Sequence, residues 1–274
     1  MVGQCCATGS LHAGTPQGNV RKVHGLDCYV AEPNAGPPPK GIVVIFPDIF
    51  GWTMPNTRLL ADRYAAKGRW TVYLPEFMDG HAAPTSLLAS LDALDGSGAT
   101  KAWHLMKVLS FFMPFKFYAR DAVMRPRIFD FLHALRKNEA QRLPIGVAGF
   151  CWGGKRTTIL SHNTNPELVD ATYTAHPSEL DFPADIEKVV KPTSIAAGTL
   201  DNLFFIEQAD KAEAILKAKT EKGEGVHEVV RYEGAKHGFA IKGSEDDEKE
   251  RERSVRAEEQ AVAWFEGRFA ECRY

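Results

Sequence analysis

The 274-residue chain predicts an α/β fold: a mostly parallel central sheet with helices on both faces. Three observations lead there. Short apolar, β-branched runs alternate with amphipathic stretches of helical period. Prolines and glycines mark the junctions between them. One apolar run, residues 145–148, passes directly into Gly149-Phe150-Cys151-Trp152-Gly153 and then into a helical pattern over 155–162.

Taken in order, residues 1–20 are rich in Gly, Ser and Thr and read as an N-terminal arm. Residues 23–31 suit an early strand, ended by the stiff Pro37-Pro38-Pro39 turn. Residues 41–46 are continuously apolar and β-branched, the pattern of a strand covered on both faces, and Pro47 stops it. A helix is predicted over 56–67, with Leu59, Leu60, Arg63, Tyr64 and Ala66 at suitable spacing and Gly68 just beyond. Residues 70–74 form the next strand, ended by Pro75. Strand, helix and strand joined by short links predict parallel pairing through a right-handed crossover.

Residues 77–118 are long for a connection and should carry helices of their own. Within them 101–110 looks helical, and 111–118 is strongly aromatic, either a pocket wall or lid or ordinary packing. Residues 119–137 predict an amphipathic helix with Val123, Ile128, Phe129, Leu132 and Leu135 inward. Strands follow at 168–174, 193–197 and 226–232, with a helix at 204–220. A charged loop at 243–250 precedes a closing helix at 250–269 with Val255, Ala261, Val262, Trp264 and Phe265 inward. One domain over 1–274 is expected, with no internal repeat.

The bulk numbers narrow the function. The net charge of −2 supplies no field to recruit nucleic acid or an anionic membrane. No run of about 18 apolar residues exists to span a bilayer. The N-terminus lacks a basic segment followed by an apolar core, and Val2 excludes the myristoylation pattern. Five cysteines, at 5, 6, 28, 151 and 272, are odd in number and irregular in spacing, so reduced thiols and a cytoplasmic protein are expected. Cys5 and Cys6 read as a plain pair in the arm.

Strand, Gly-x-nucleophile-x-Gly turn and helix together make the nucleophile elbow of the α/β-hydrolase fold. The elbow strains the nucleophile's backbone, and the flanking glycines leave room for neighbouring elements. Here the nucleophile position is Cys151. A helix starting behind it favours thiolate and oxyanion, because its first N–H groups are unpaired. An isolated free cysteine is more often buried and inert. Two further residues tip the balance. Asp201 follows the 193–197 strand, in Gly198-Thr199-Leu200-Asp201, and His237 follows the 226–232 strand. Nucleophile, acid and histidine occur in the chain order of the hydrolase triad. Thiolate attack, proton transfer by histidine and a carboxylate fixing its tautomer require these residue types. The loop after residues 41–46 should supply the second oxyanion donor, the Ile49 N–H, alongside that of Trp152. Asp48 is an acid at the carboxyl end of a strand, where open sheets place their crevices. His176, at the end of the 168–174 strand, reads as lining the crevice or as a plain loop histidine, the second being the safer reading.

These motifs, Gly149-Phe150-Cys151-Trp152-Gly153-Gly154, Pro47-Asp48-Ile49-Phe50-Gly51, Gly198-Thr199-Leu200-Asp201 and Gly234-Ala235-Lys236-His237-Gly238-Phe239-Ala240, resemble the dienelactone hydrolase family over about residues 41–240. The resemblance implies a single α/β-hydrolase domain with no large cap. It implies a Cys-His-Asp triad that opens lactones with no cofactor or metal. The family acid that helps form the thiolate falls on Asp48, where glutamate is usual. The family arginine that clamps a substrate carboxylate falls on Ile241, and the single ammonium of neighbouring Lys242 does not reproduce its bidentate fork. A more apolar lactone or ester is therefore expected, held by Phe50, Phe112, Phe239 and Ile241. Its partner would be a small molecule, with no nucleic acid or membrane, and the protein a monomer or homodimer. The competing readings are a non-catalytic binding protein that reuses the pocket, and a thiol redox protein, which lacks a nearby resolving cysteine.

Overall fold

The computed structural model describes residues 10–33, 36–93, 99–162 and 168–274. Cys5 and Cys6 lie outside them. The expected early strand is a hairpin, β1 (Asn19–Val23) and β2 (Leu26–Ala31), which turns at His24-Gly25 with φ of 46° and 86°. Its first strand takes over the end of the expected arm. Gln17 and Gly18, just before it, donate backbone N–H groups to Asp62. The chain continues through β3 (Ile42–Phe46), α1 (Pro55–Gly68) and β4 (Thr71–Pro75). Next come α2 (Leu87–Asp92), α3 (Ala99–Tyr118) and α4 (Asp121–Asn138). Beyond these lie β5 (Ile145–Phe150), α5 (Trp152–Leu160), β6 (Ala171–Ala175) and the short α6 (Ala184–Glu187). The last elements are β7 (Thr193–Gly198), α7 (Ile206–Glu221), β8 (His227–Tyr232), the short α8 (Phe239–Lys242) and α9 (Glu248–Glu271).

The eight strands form one sheet in the order β1-β2-β4-β3-β5-β6-β7-β8. Pairing is antiparallel at β1–β2 and β2–β4 and parallel from β4 through β8. This is the expected α/β-hydrolase architecture. The continuous apolar run of β3 has its stated cause. Ile42, Val44 and Phe46 enter one core with Phe131, Leu132 and Leu135 of α4. Val43 and Ile45 enter the opposite core with Leu60 and Tyr64 of α1 and Ala261, Phe265 and Phe269 of α9. Alternate side chains point to opposite faces, and each face is covered by helices.

Three side chains depart from their expected positions. Val123 of α4 and Val255 of α9 are solvent-exposed rather than inward, and so is Ala66 of α1. The apolar stripes of these helices are narrower than a 3.6 period allows. The aromatic 111–118 segment is the second half of α3, one continuous helix, and not a separate lid. Phe112 and Phe115 point inward, while Trp103, Met106, Met113 and Phe117 face solvent.

Candidate active site

The carboxyl ends of parallel strands gather the candidate residues. Asp48 and Ile49 follow β3, Cys151 follows β5, His176 follows β6, Asp201 follows β7 and His237 follows β8. The turn at Cys151 has φ 52° and ψ −113°, a conformation costly for a residue with a Cβ. Close packing demands the flanking glycines. A Cβ on Gly149 would lie 2.1 Å from Thr157 Oγ1, and one on Gly153 would lie 2.2 Å from the Phe46 carbonyl oxygen. The Gly153 N–H donates to the Pro47 carbonyl at 3.1 Å, tying the start of α5 to the end of β3. Because α5 begins at Trp152, the first N–H groups of this helix have no acceptor within it.

His237 and Asp201 meet. Nδ1 donates to both carboxylate oxygens, each at 3.0 Å, and both side chains are fully buried. Asp201 Oδ1 also accepts the N–H groups of Leu203 and Phe204, at 2.8 and 3.1 Å. The two loops are stitched together by Leu200 N–H to the Ala235 carbonyl, 2.9 Å, and Gly234 N–H to Thr199 Oγ1, 2.8 Å. With Nδ1 committed to the carboxylate, Nε2 is the ring nitrogen left over. Nε2 has no hydrogen-bond partner among the described residues, and the Cys151 side chain is close enough to act on the His237 ring. Burial disfavours the imidazolium. The negative charges of Cys151 and Asp201 outweigh that cost and push the His237 pKa up to about 9.

Cys151 is 1% exposed. Its Sγ lies 3.6 Å from Ser178 Oγ, and its carbonyl accepts the Ser178 N–H at 3.0 Å. It lines neither neighbouring cavity. One, of about 250 Å³, has His237, Phe239 and Lys242 in its wall. The other, of about 420 Å³, has Phe115, Trp152 and Arg156 in its wall.

Asp48 is also buried. Its Oδ1 accepts the Phe50 N–H at 2.9 Å, and its Oδ2 is paired with Lys242 Nζ at 2.8 Å. The Lys242 ammonium also lies 4.9 Å over the Phe50 ring. Of the four expected substrate contacts, Phe239 lines the His237 cavity. Phe50, Phe112 and Ile241 are packed into the cores, and the Ile241 carbonyl accepts from Asn56.

His176 corrects the loop reading. It has no exposed surface, and its ring lies 5.0 Å from that of His237, 5.6 Å from Phe239 and 6.0 Å from Phe150. Neither ring nitrogen has a hydrogen-bond partner. Burial first, then the nearby charges of His237 and Lys242, hold its pKa well below the usual histidine value. Sequence reasoning set the crevice reading of this residue second, and it missed Ser178 and the pairing of Lys242. His176 could be read as close to the site only from its place at the carboxyl end of β6, between the strands that carry Cys151 and Asp201.

Among the described residues no cluster of three or more His, Cys, Asp or Glu side chains could hold a metal ion, and no helix is long and apolar enough to cross a membrane. The dienelactone hydrolase family model matches residues 26–269. The hydrolase tropI of Talaromyces stipitatus is 29% identical, with 95% of this chain and 94% of that protein aligned. The dienlactone hydrolase 1 of Gibberella moniliformis is 27% identical over 86% of this chain and 82% of its own. The crystal structure of a putative dienelactone hydrolase from Klebsiella pneumoniae superposes with a TM-score of 0.65 at 19% identity, covering 90% of this chain and 93% of that one. The match runs from the hairpin through α9 and takes in the elbow, the acid loop and the histidine loop: the chain belongs to the dienelactone hydrolase family, and it is a hydrolase.

Proposed function

We propose that the protein hydrolyses a small ester or lactone through an acyl-enzyme on Cys151. The observation that carries this is His237, held by Asp201 through Nδ1, with the Cys151 side chain close enough to act on its ring. In the first half-reaction Sγ attacks the carbonyl carbon and a C–S bond forms. The tetrahedral oxyanion is stabilised by the N–H groups of Trp152 and Ile49. The ester C–O bond then breaks, and the leaving oxygen takes the proton from His237 Nε2. In the second half-reaction His237 accepts a proton from water and hydroxide adds to the thioester carbon; the C–S bond then breaks, its electron pair returns to Sγ as thiolate beside the protonated His237, and the acid product leaves. Asp48 is assigned a supporting part. Its charge is paired with Lys242, so it anchors the loop carrying Ile49 rather than activating the thiol.

The buried position of Sγ sets a further requirement. Side chains between the nucleophile and the adjoining cavities must move apart for substrate to enter. Cys151→Ala should lower turnover of aryl esters by roughly a thousandfold or more without lowering the melting temperature. Intact mass of the wild type after mixing with a reactive ester should show one acyl adduct, absent from the variant. Full turnover by Cys151→Ala, or an adduct on another residue, would overturn the assignment.

A further inference from the structure

The cavity of about 420 Å³ beside Trp152 is unlike the rest of the site. Its wall holds four cationic side chains, Lys116, Arg120, Lys155 and Arg156, against two carboxylates, Asp121 and Glu179. Both carboxylates are already taken. Glu179 lies 2.9 Å from the Arg156 guanidinium, and Asp121 lies 2.9 Å from Arg156 and 3.7 Å from Lys155. The Asp121 Oδ1 contact lacks hydrogen-bond geometry, although its distance suits an ion pair. Lys116 and Arg120 have no carboxylate partner among the described residues. The cavity therefore keeps an excess of two positive charges.

Its wall also holds two buried donors without an acceptor. Arg156 is 7% exposed and Trp152 is 1% exposed. The guanidinium sits 4.3 Å over the indole. Arg156 Nε and Trp152 Nε1 both lack a hydrogen-bond partner. Native proteins rarely leave two adjacent buried N–H groups unpaired. Phe115 and the Trp152 ring add an apolar surface between the charges.

Two residues of the wall are chain neighbours of residues at the nucleophile. Trp152 directly follows Cys151 in the chain. Glu179 directly follows Ser178, whose Oγ is 3.6 Å from Sγ. We infer that this cavity is an anion-binding subsite, and that the substrate is an aromatic ester or lactone carrying an ionised oxygen group such as a carboxylate or phenolate. The aromatic part packs on Phe115 and Trp152, and the charged oxygens face Lys116 and Arg120. This rests on the hydrolase reading above and revises the expectation, drawn from Ile241, of an uncharged substrate. The cations come from the end of α3 (Lys116), the link to α4 (Arg120) and α5 (Lys155, Arg156), and not from the residues after His237.

The test separates binding from catalysis. Calorimetry on the full chain compares an aryl carboxylate, which has no ester to cleave, with its neutral amide. The wild type should bind the carboxylate about 10-fold or more tightly than the amide. Lys116→Met/Arg120→Met should erase that preference, and the ratio of kcat/KM for a carboxylate-bearing aryl ester over its amide counterpart should fall by a similar factor. Lys116 and Arg120 are exposed, so the substitutions leave the cores intact. Should the variant fail to fold, the wild-type preference measured at low and at high salt decides, because an ionic subsite loses it as salt rises. Equal binding of acid and amide, a preference insensitive to salt, or a preference kept by the folded variant would overturn the proposal. Loss of the hydrolase reading shows separately, as full turnover by Cys151→Ala.

Discussion

Replacing Lys242 with methionine isolates the buried ion pair that joins the loop after β3 to the loop after β8. The ammonium and the Asp48 carboxylate are 2.8 Å apart, and neither side chain has exposed surface. At an effective dielectric constant of about 20, their attraction is about 6 kcal/mol. Desolvating both ions consumes most of it, so the intact pair adds little net stability. Removing one partner is another matter, because Asp48 is left as a buried charge with no counter-ion, held only by the Phe50 N–H. Lys242→Met should cost about 3–5 kcal/mol, and the lost contact with Phe50 adds to it. For a chain of this size that is a fall in melting temperature of roughly 5–20 °C. Scanning calorimetry or a urea titration measures it. One control separates charge from packing: Asp48→Leu/Lys242→Met should be more stable than Lys242→Met alone. A melting temperature for Lys242→Met within about 2 °C of wild type would show that the pair is solvated or unimportant, and the reasoning would fail.

Two further predictions concern pH. The His237 pKa is raised to about 9, so the folded protein holds a proton between pH 6.5 and 9 that the unfolded chain releases. The stabilisation from this proton is complete below pH 6.5 and is lost as pH rises to about 9. In the proposed mechanism the leaving oxygen takes that proton, so the kcat/KM profile should fall above about pH 9, and Asp201→Asn should move the alkaline limb to lower pH; an alkaline limb that stays in place in Asp201→Asn would contradict the charge argument. His176 has the opposite sign. Its folded pKa lies well below 6.5, so the unfolded chain takes up a proton that the folded state refuses, and stability falls as pH drops below 6.5, by at most about 1.4 kcal/mol per pH unit. His176→Leu removes two unpaired buried nitrogens, should stay within about 1 kcal/mol of wild type at pH 7, and should lose less stability between pH 6.5 and 5 in the same melting assay. An acid dependence identical to wild type would rule His176 out as its source.

The amino-acid sequence by itself determined the class of fold and pointed to residues that the fold gathers at the candidate site. A strand covered on both faces must be apolar throughout, and residues 42–46 are. A tight turn packed against a helix and a neighbouring strand tolerates no Cβ on either side, so Gly149 and Gly153 mark the elbow before any coordinates exist. Asp201 and His237 were legible because parallel strands place their following loops on one edge, whatever lies between them in the chain. What periodicity overstated, such as inward positions for Val123 and Val255, was decided by how much of each helix the sheet could cover. Only the tertiary structure paired Asp48 with Lys242, 194 residues away, because a single ammonium has no sequence pattern that names its partner. Only the tertiary structure set His176 against His237, since a strand end looks the same in sequence whether or not a neighbouring loop folds over it. The cationic cavity had no sequence signature either. Its charges come from helices separated by a strand, and they gather because α3 and α5 pack on the same face of the sheet.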